Sequence, residues 1–414
     1  MSFVGISDIS FYIPPLTIHT EEIIRHRIAQ KPELSRRLQR ALHVTGQISL
    51  HFPYSWQDAV TLGAQSIHSL LQQNPSYNLD HLRYLMTGTE TAVDMSKPIA
   101  AYIEGLLQRS GIKIPHTLST FQVQHACAGG TIGLLAVCSL LQAQDQKRFG
   151  IVTCTDIARY AAYSTAELSQ GAGAVSLLVE PNPQLLSLDI ARTGNYSEDV
   201  DDFFRPVGST IAVVKGGYSI ECYTNAVENA FLDYCKQIQK EPSGVLRNTD
   251  FLVFHVPFPK MVYTGTYRLF KKFLGLSYSA MMEDLVQRGV PSMTDAAAKI
   301  GNIYTGSIYL ALRYLLIDRY QTLGQDIVGK KILLFSYGSG NTITVFQATV
   351  LHSAPRIIQQ WSKQNQPVCI PAHHDEYTIW MNQNSFIPPR NIPSGMYYLK
   401  NIRDDGYREY EFTK

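Results

Sequence analysis

The sequence has no large excess of either charge, few cysteines, and no apolar run that approaches membrane length. Across 414 residues, 36 lysines and arginines face 34 aspartates and glutamates, a formal net charge of +2 with no basic block. That balance excludes the electrostatic footprint of a nucleic-acid-binding surface. The six cysteines form no C-x-x-C pair, and no histidines stand near them at metal-ligand spacing. His373 and His374 are adjacent but lack partners, so neither a zinc site nor a disulfide framework is expected. The start, "MSFVGISDISFYIPP", does not read as a signal peptide, which makes the cytosol the default expectation.

An ordinary apolar fraction, 45%, is distributed as alternating strand and helix patterns, the signature of an α/β protein. Strands are predicted at "VGISDISFYIP", "HLRYLMTG", "STFQVQ", "RFGIVTCT" and "GAVSLLVE", and helices near Glu21–Ile28, Gln57–Leu71, Ile99–Gln108 and Cys127–Ala143. After Pro181 a similar order returns: "LLSLDIA", a helix near Ser219–Gln239, "DFLVFHV", a helical region from Tyr267, a helix near Asn302–Leu316, then "KKILLFSYG" and "NTITVFQATV". The halves read as one plan used twice, with "VQHACAGGTIGLLAV" answered by "AKIGNIYTGSIYLAL". Ligands bind beyond the carboxyl ends of parallel strands, so the two sets of strand ends are expected to share a centre. This predicts three regions: a half over 1–180, a half over 181–350, and a polar, proline-rich surface extension over 351–414 closing on a strand pair.

Within this plan Cys127 stands out. It precedes Gly129, Gly130 and the apolar "TIGLLAVCSLLQA", where free N–H groups and the positive helix end favour a thiolate. The bland alternative is a small buried hydrophobe, the reading preferred for Cys138 and Cys154. A nucleophile needs partners, and three residues qualify by position. His255 ends a strand before a Pro-x-Pro loop. Asn302 opens the matching helix, either as an amide donor or as an ordinary cap. Glu90 follows a strand, either as an acid–base or as a cap.

The segments "TGTETAVDMSK", "HACAGGT", "CTDIARY", "QGAGAV", "DFFRP", "FHVPFPKM", "GNIYTGSIYL" and "FSYGSG" occur in an order that resembles the 3-hydroxy-3-methylglutaryl-CoA synthases, in their bacterial form, over nearly the whole chain. Singly these motifs are weak; as an ordered set they are specific. The resemblance implies a thiolase fold, two duplicated βαβαβαββ-type halves in a five-layered αβαβα body, and a homodimer. It implies condensation of acetyl-CoA with acetoacetyl-CoA in the mevalonate route, with no cofactor, metal, nucleic acid or membrane involved. By motif, Cys127 carries the acetyl group and Glu90 moves the protons. His255 polarises acetoacetyl-CoA, and Asn302 fixes a thioester carbonyl. Tyr160, Ser169 and Ser339 fall at pocket positions, Lys260 at a CoA-phosphate contact, and Asp156 and Asp202 at supporting acidic positions.

Two positions depart from the resembled pattern. Ala128 stands where a tyrosine usually follows the nucleophile, and Leu168-Ser169 stands where Pro-Thr is frequent. "ACAGG" also resembles β-ketoacyl-carrier-protein synthase III, which makes its carbanion by decarboxylation and needs no base such as Glu90. A carrier-protein-dependent β-branching synthase and a thiolase-fold acyl-CoA-binding protein are the remaining alternatives.

Overall fold

The computed structural model describes residues 3–144, 147–362, 367–382, 387–388 and 391–414. One hydrogen-bonded sheet of ten strands organises the chain. In chain order these are β1 (Val4–Tyr12), β2 (Leu82–Gly88), β3 (Ser119–Val123), β4 (Phe149–Ile157), β5 (Ala172–Pro181), β6 (Leu186–Leu188), β7 (Gly194–Ser197), β8 (Phe251–Phe254), β9 (Lys331–Gly338) and β10 (Thr342–Val350). The path runs β8-β9-β10-β6-β1-β5-β4-β2-β3, with β7 also on β10. β2 is parallel to both β3 and β4, and β8 is parallel to β9; β5, β1 and β10 run antiparallel to their neighbours. Short β6 pairs with both β1 and β10, so the hydrogen bonding passes from one half into the other.

The central strands are nearly continuous apolar runs because helices cover both faces. The helices used below are α1 (Ala59–Gln73), α2 (Ile99–Arg109), α3 (Gly129–Gln142), α4 (Gly216–Gln237), α5 (Pro259–Leu274) and α6 (Ser307–Leu323). The strand period of two sorts neighbours to opposite sides. Leu85 and Ile151 join an outer cluster with Ile67, Ile103 and Leu106 of α1 and α2. Met86 and Val152 face inward, to Leu134 and Val137 of α3 and the shared core that includes α6. α3 and α6 form the middle helical layer, bridged by a 2.7 Å bond between Thr131 Oγ1 and the Tyr309 hydroxyl. The outer helices α4 and α5 bury Phe231 and Phe270 in the same core as Phe254 and Phe335. The αβαβα layering is therefore the one the family resemblance implies.

The duplication is unequal in detail. β3 leads directly into the Cys127 turn, whereas helix Val290–Ile300 leads into Asn302, and no strand corresponding to β3 lies among the described residues there. Asn302 also does not begin α6; a 3-10 turn, Tyr304–Gly306, intervenes. The C-terminal extension holds more regular structure than its polar composition suggests. Helices Ala354–Ser362 and His374–Asn382 fold there, and hairpin Tyr397–Ile402/Arg408–Phe412 forms the predicted strand pair. The reading of this region as surface chain extends over 363–366, 383–386 and 389–390, which lie outside the described residues. Tyr397, Leu399 and Tyr410 pack into the outer cluster, and Arg408 and the Tyr410 hydroxyl both reach Asp58. Asp58 also caps α1, its Oδ1 accepting from Val60 N at 3.0 Å and Thr61 N at 3.2 Å, while Asp58 N donates to Thr61 Oγ1. One carboxylate thus fixes both a helix start and the hairpin.

Candidate active site

β3 ends at Val123, and the chain then turns sharply into α3. Ala126 adopts a φ of 40°, a left-handed conformation unusual for a residue with a Cβ. The turn is closed by Ala128 N donating to His125 O at 3.0 Å, and it presents Cys127 one residue before the Ala128 cap. Glycines let the helix start sit on the strand ends. A Cβ on Gly130 would lie 2.3 Å from Cys154 Sγ, and one on Gly338 would lie 2.7 Å from both His125 O and Ala128 N. Ala128 is itself 2% exposed and its methyl lies against Gly338, so backbone of the β9 turn crowds the place of the tyrosine usual in the resembled family.

Cys127 is buried, and its thiol points at Glu90, Sγ to Oε1 3.4 Å. The thiolate expected from the helix end is not what the surroundings favour. Burial pushes the thiol well up, and the carboxyls of Glu90 and Asp156 push in the same direction. A helix terminus supplies a partial charge, which is outweighed by desolvation and two acids. Cys127 is therefore a thiol whose proton has an acceptor in reach. Glu90 is pushed up to about 8 by burial and by Asp156, with Arg205 and the Cys127 thiol pulling the other way.

Asp156 organises this end of the first half. It is fully buried at the end of β4, and its Oδ1 accepts from Thr89 Oγ1 at 2.9 Å, Thr91 Oγ1 at 2.7 Å and Glu90 N at 2.9 Å. Its Oδ2 accepts from Thr305 Oγ1 at 2.5 Å and Thr305 N at 3.2 Å. Burial pushes its carboxyl up while these donors favour the ionised form. Because Thr305 lies between Asn302 and α6, Asp156 joins the two turns directly.

Arg205, Tyr304 and Tyr160 line the approach to Cys127. Arg205 Nη1 donates to the Glu90 carbonyl at 2.5 Å, and Nη2 reaches the Tyr304 hydroxyl at 3.4 Å. Tyr160 and Tyr304 share a small apolar cluster with Cys127, Ala158 and Ala212. Their rings meet edge to face, with centroids 6.4 Å apart. Asn302 is buried, and its Oδ1 accepts from Tyr304 N at 2.8 Å and Ser307 Oγ at 2.9 Å. That is a capping role, but it orients the amide. Nδ2 has no partner among the described residues and remains available to a ligand.

His255 follows β8, and its N–H donates to Phe335 O on β9 at 2.9 Å. In register it lies beside Ser336, whose hydroxyl donates to Thr131 Oγ1 of α3 at 2.7 Å. Burial lowers the imidazole to about 3, and Nδ1 is buried without a partner, so this is a neutral ring. Just past the end of β9, Asp202 from a distant segment braces the turn that carries Ser339. Its Oδ1 accepts from Gly340 N at 2.9 Å, and Oδ2 accepts from Ser219 Oγ at 2.8 Å and the Tyr337 hydroxyl at 3.3 Å.

Two of the predicted residues stand apart. Ser169 donates its hydroxyl to Ala166 O at 2.9 Å, and it is the backbone carbonyl that accepts Asn302 N at 3.0 Å. Lys260 is exposed at the start of α5, with Nζ 2.5 Å from His43 O. Three further residues were not singled out in the sequence. Arg205 lies within "DFFRP" and Arg159 within "CTDIARY", so a cation beside each motif's aromatic residue was the available signal. The positive φ of Tyr304, 47°, has no sequence signal of that kind.

The Cys127 thiol faces the Glu90 carboxyl, and Asp156 ties the Glu90 loop to the turn that follows Asn302. Two family models match the chain. The one described as "Hydroxymethylglutaryl-coenzyme A synthase N terminal" matches residues 2–184, and the one described as "Hydroxymethylglutaryl-coenzyme A synthase C terminal" matches 186–283 and 268–413. The chain belongs to the hydroxymethylglutaryl-CoA synthase family. The synthase of Enterococcus faecalis is 31% identical over 83% of this chain and 82% of its own length. A solved structure described as MvaS in complex with 3-hydroxy-3-methylglutaryl coenzyme A is 29% identical, covers both chains fully and has a TM-score of 0.86. A second solved structure, an HMG-CoA synthase complexed with CoA, is 25% identical with a TM-score of 0.83, covering 99% of this chain and all of the other.

Proposed function

We infer that this chain condenses acetyl-CoA with acetoacetyl-CoA and water, giving 3-hydroxy-3-methylglutaryl-CoA and CoA for the mevalonate route. The observation that carries this is the Cys127 thiol facing Glu90 at the mouth of α3, in a member of this family. Cys127 attacks the acetyl thioester and keeps the acetyl group, and CoA leaves as the thiol with the proton that Cys127 gives up. Glu90 then removes a proton from the acetyl methyl. A thioester makes that proton acidic enough for a carboxylate when donors meet the enolate oxygen. The resulting carbon nucleophile attacks the ketone of acetoacetyl-CoA, and the alkoxide takes the proton back from Glu90. Water hydrolyses the Cys127 thioester, freeing a carboxylate and restoring the thiol.

His255, neutral and fixed by β9, donates to the acetoacetyl oxygens, and the open Nδ2 of Asn302 donates to a thioester carbonyl. Tyr160 and the Ser339 turn shape the acyl pocket, with Asp156 and Asp202 holding the walls. Ser169 acts through its carbonyl on Asn302, and Lys260 meets CoA phosphate from the surface. The division at about 180 and 350 gives one half the nucleophile and base and the other the two donors. β3 is the last strand of the sheet path, with one edge unpaired among the described residues, which suits pairing with a second copy in a homodimer. No helix among the described residues is long and apolar enough to cross a membrane, and free CoA thioesters as substrates fit a cytosolic enzyme.

Incubation with radiolabelled acetyl-CoA should label the protein, and Cys127→Ser should abolish the label. Turnover assays should give product from free acetyl-CoA and acetoacetyl-CoA. Turnover only with carrier-protein thioesters would overturn this reading.

A further inference from the structure

A cavity of about 600 Å³ opens beside Glu90, on the surface it shares with Arg205 and Arg159. Its volume is in the range that encloses small ligands. The Arg159 guanidinium lies over the Trp380 ring, 4.6 Å from its centroid, and makes no ion pair or side-chain hydrogen bond among the described residues. Arg159 is itself part of the cavity lining, and none of its nitrogens is sealed into the packing. Burial lowers it to about 10, still fully charged at neutral pH.

The carboxylates around this cation are already committed. Asp58 takes Arg408 at 3.0 Å and the Tyr410 hydroxyl at 2.7 Å. Asp94 takes Ser96 N, Lys97 N and the Tyr102 hydroxyl. Glu167, behind the cavity wall, accepts the buried Arg27 at 2.7 Å. Glu90 is held largely protonated at neutral pH. Meanwhile Arg205 Nε and Trp380 Nε1 are buried with no acceptor. The wall therefore has an excess of positive charge.

We propose that this cavity is a carboxylate-binding subsite, with Arg159 stacked on Trp380 as its anchor, and that it takes small organic carboxylates, including dicarboxylates. A guanidinium fixed on an aromatic face offers two parallel N–H groups, the fork that a carboxylate fits. An anion held there shares a cavity with Glu90 and disfavours its ionised form. Occupancy therefore slows condensation and spares acetylation of Cys127, a consequence that rests on the acid–base reading of Glu90.

Calorimetric titration of the full chain with glutarate, at constant ionic strength, tests the site. The wild type should bind saturably, Arg159→Met at least tenfold more weakly, and Arg159→Lys several-fold more weakly because a point charge loses the two-point hold. Glutarate should lower the condensation rate while leaving acetyl labelling unchanged. If Arg159→Met fails to fold, Arg159→Lys carries the comparison. Absence of saturable binding in the wild type, or equal binding in the folded variants, overturns the subsite. Binding that depends on Arg159, in a protein that takes no acetyl label, supports the subsite and overturns the proposed catalytic reading.

Discussion

The turns that open α3 and α6 are counterparts, and they do opposite things with the same local device. Each places a non-glycine residue at positive φ, Ala126 in one and Tyr304 in the other, just ahead of a buried helix. In the first half the turn leaves Cys127 with a free thiol beside an acid. In the second it spends Asn302 Oδ1 on Tyr304 N and Ser307 Oγ, and keeps only an amide N–H group for the ligand. The difference begins upstream. A parallel strand delivers the Cys127 turn, whereas a helix ending at Ile300 delivers the Asn302 turn. The two turns are then tied through Asp156, whose Oδ1 serves the Glu90 loop and whose Oδ2 serves Thr305. The chain thus has two helix mouths joined through one carboxylate, and in the proposed reaction one carries the nucleophile and the other a donor.

Breaking either turn should separate these roles. Cys127→Ser should remove acetyl labelling and cut turnover by about 10³-fold or more, since an alcohol in this apolar place has no base strong enough to ionise it. Asn302→Ala should keep the label and lower condensation by about 10²–10³-fold, the usual loss for one oxyanion donor. If Asn302→Ala also abolishes labelling in a folded protein, the contrast between the turns fails.

Glu90→Gln should retain labelling and reduce condensation by about 10²–10⁴-fold in single-turnover assays. In the wild type the condensation step should rise with pH toward about 8, where Glu90 ionises. The stability effect has a defined sign. Because the folded pKa is raised, the contribution of protonated Glu90 is fully present below about 4.5 and lost as pH rises through about 8. Denaturant melts should thus show Glu90→Gln gaining about 1–2 kcal/mol on the wild type at pH 9 relative to pH 5, discounted for the partial exposure of this side chain.

Smaller effects sharpen the comparison. Gly338→Ala should cost about 1–3 kcal/mol in a denaturant titration, because the new methyl meets the backbone of the Cys127 turn, which has no slack. Thr131→Val, which removes the hydroxyl linking α3 to Tyr309 and Ser336, should cost about 1–2 kcal/mol. If that variant leaves stability unchanged, the hydroxyl bridge does not hold the two middle helices together.

Much of the fold was legible because apolar period two and period 3.6 are local properties. β1, β2, β4 and β5, α1, α2 and α3 fall within a few residues of where the pattern placed them. The extension was less legible. Helix His374–Asn382 is short and polar by composition, and it is stabilised by burying Tyr377 and Trp380 against residues far away in the chain. At the site, Cys127, Glu90, His255 and Asn302 were singled out by their places after strands and before helices, together with the ordered motifs. Arg205 did not, because its contact with the Glu90 carbonyl spans two segments with no shared pattern.

By itself the sequence determined the alternation, the repeated plan and the family, and it marked out the residues to which the proposed chemistry is assigned. Those follow from side-chain type and short-range spacing. Only the tertiary structure decided their protonation. The helix end at Cys127 was visible in the letters, yet burial and two nearby carboxyls make it a thiol and raise Glu90 to about 8. Desolvation and through-space charge depend on which distant segments close over a group, and spacing along a chain does not contain that information.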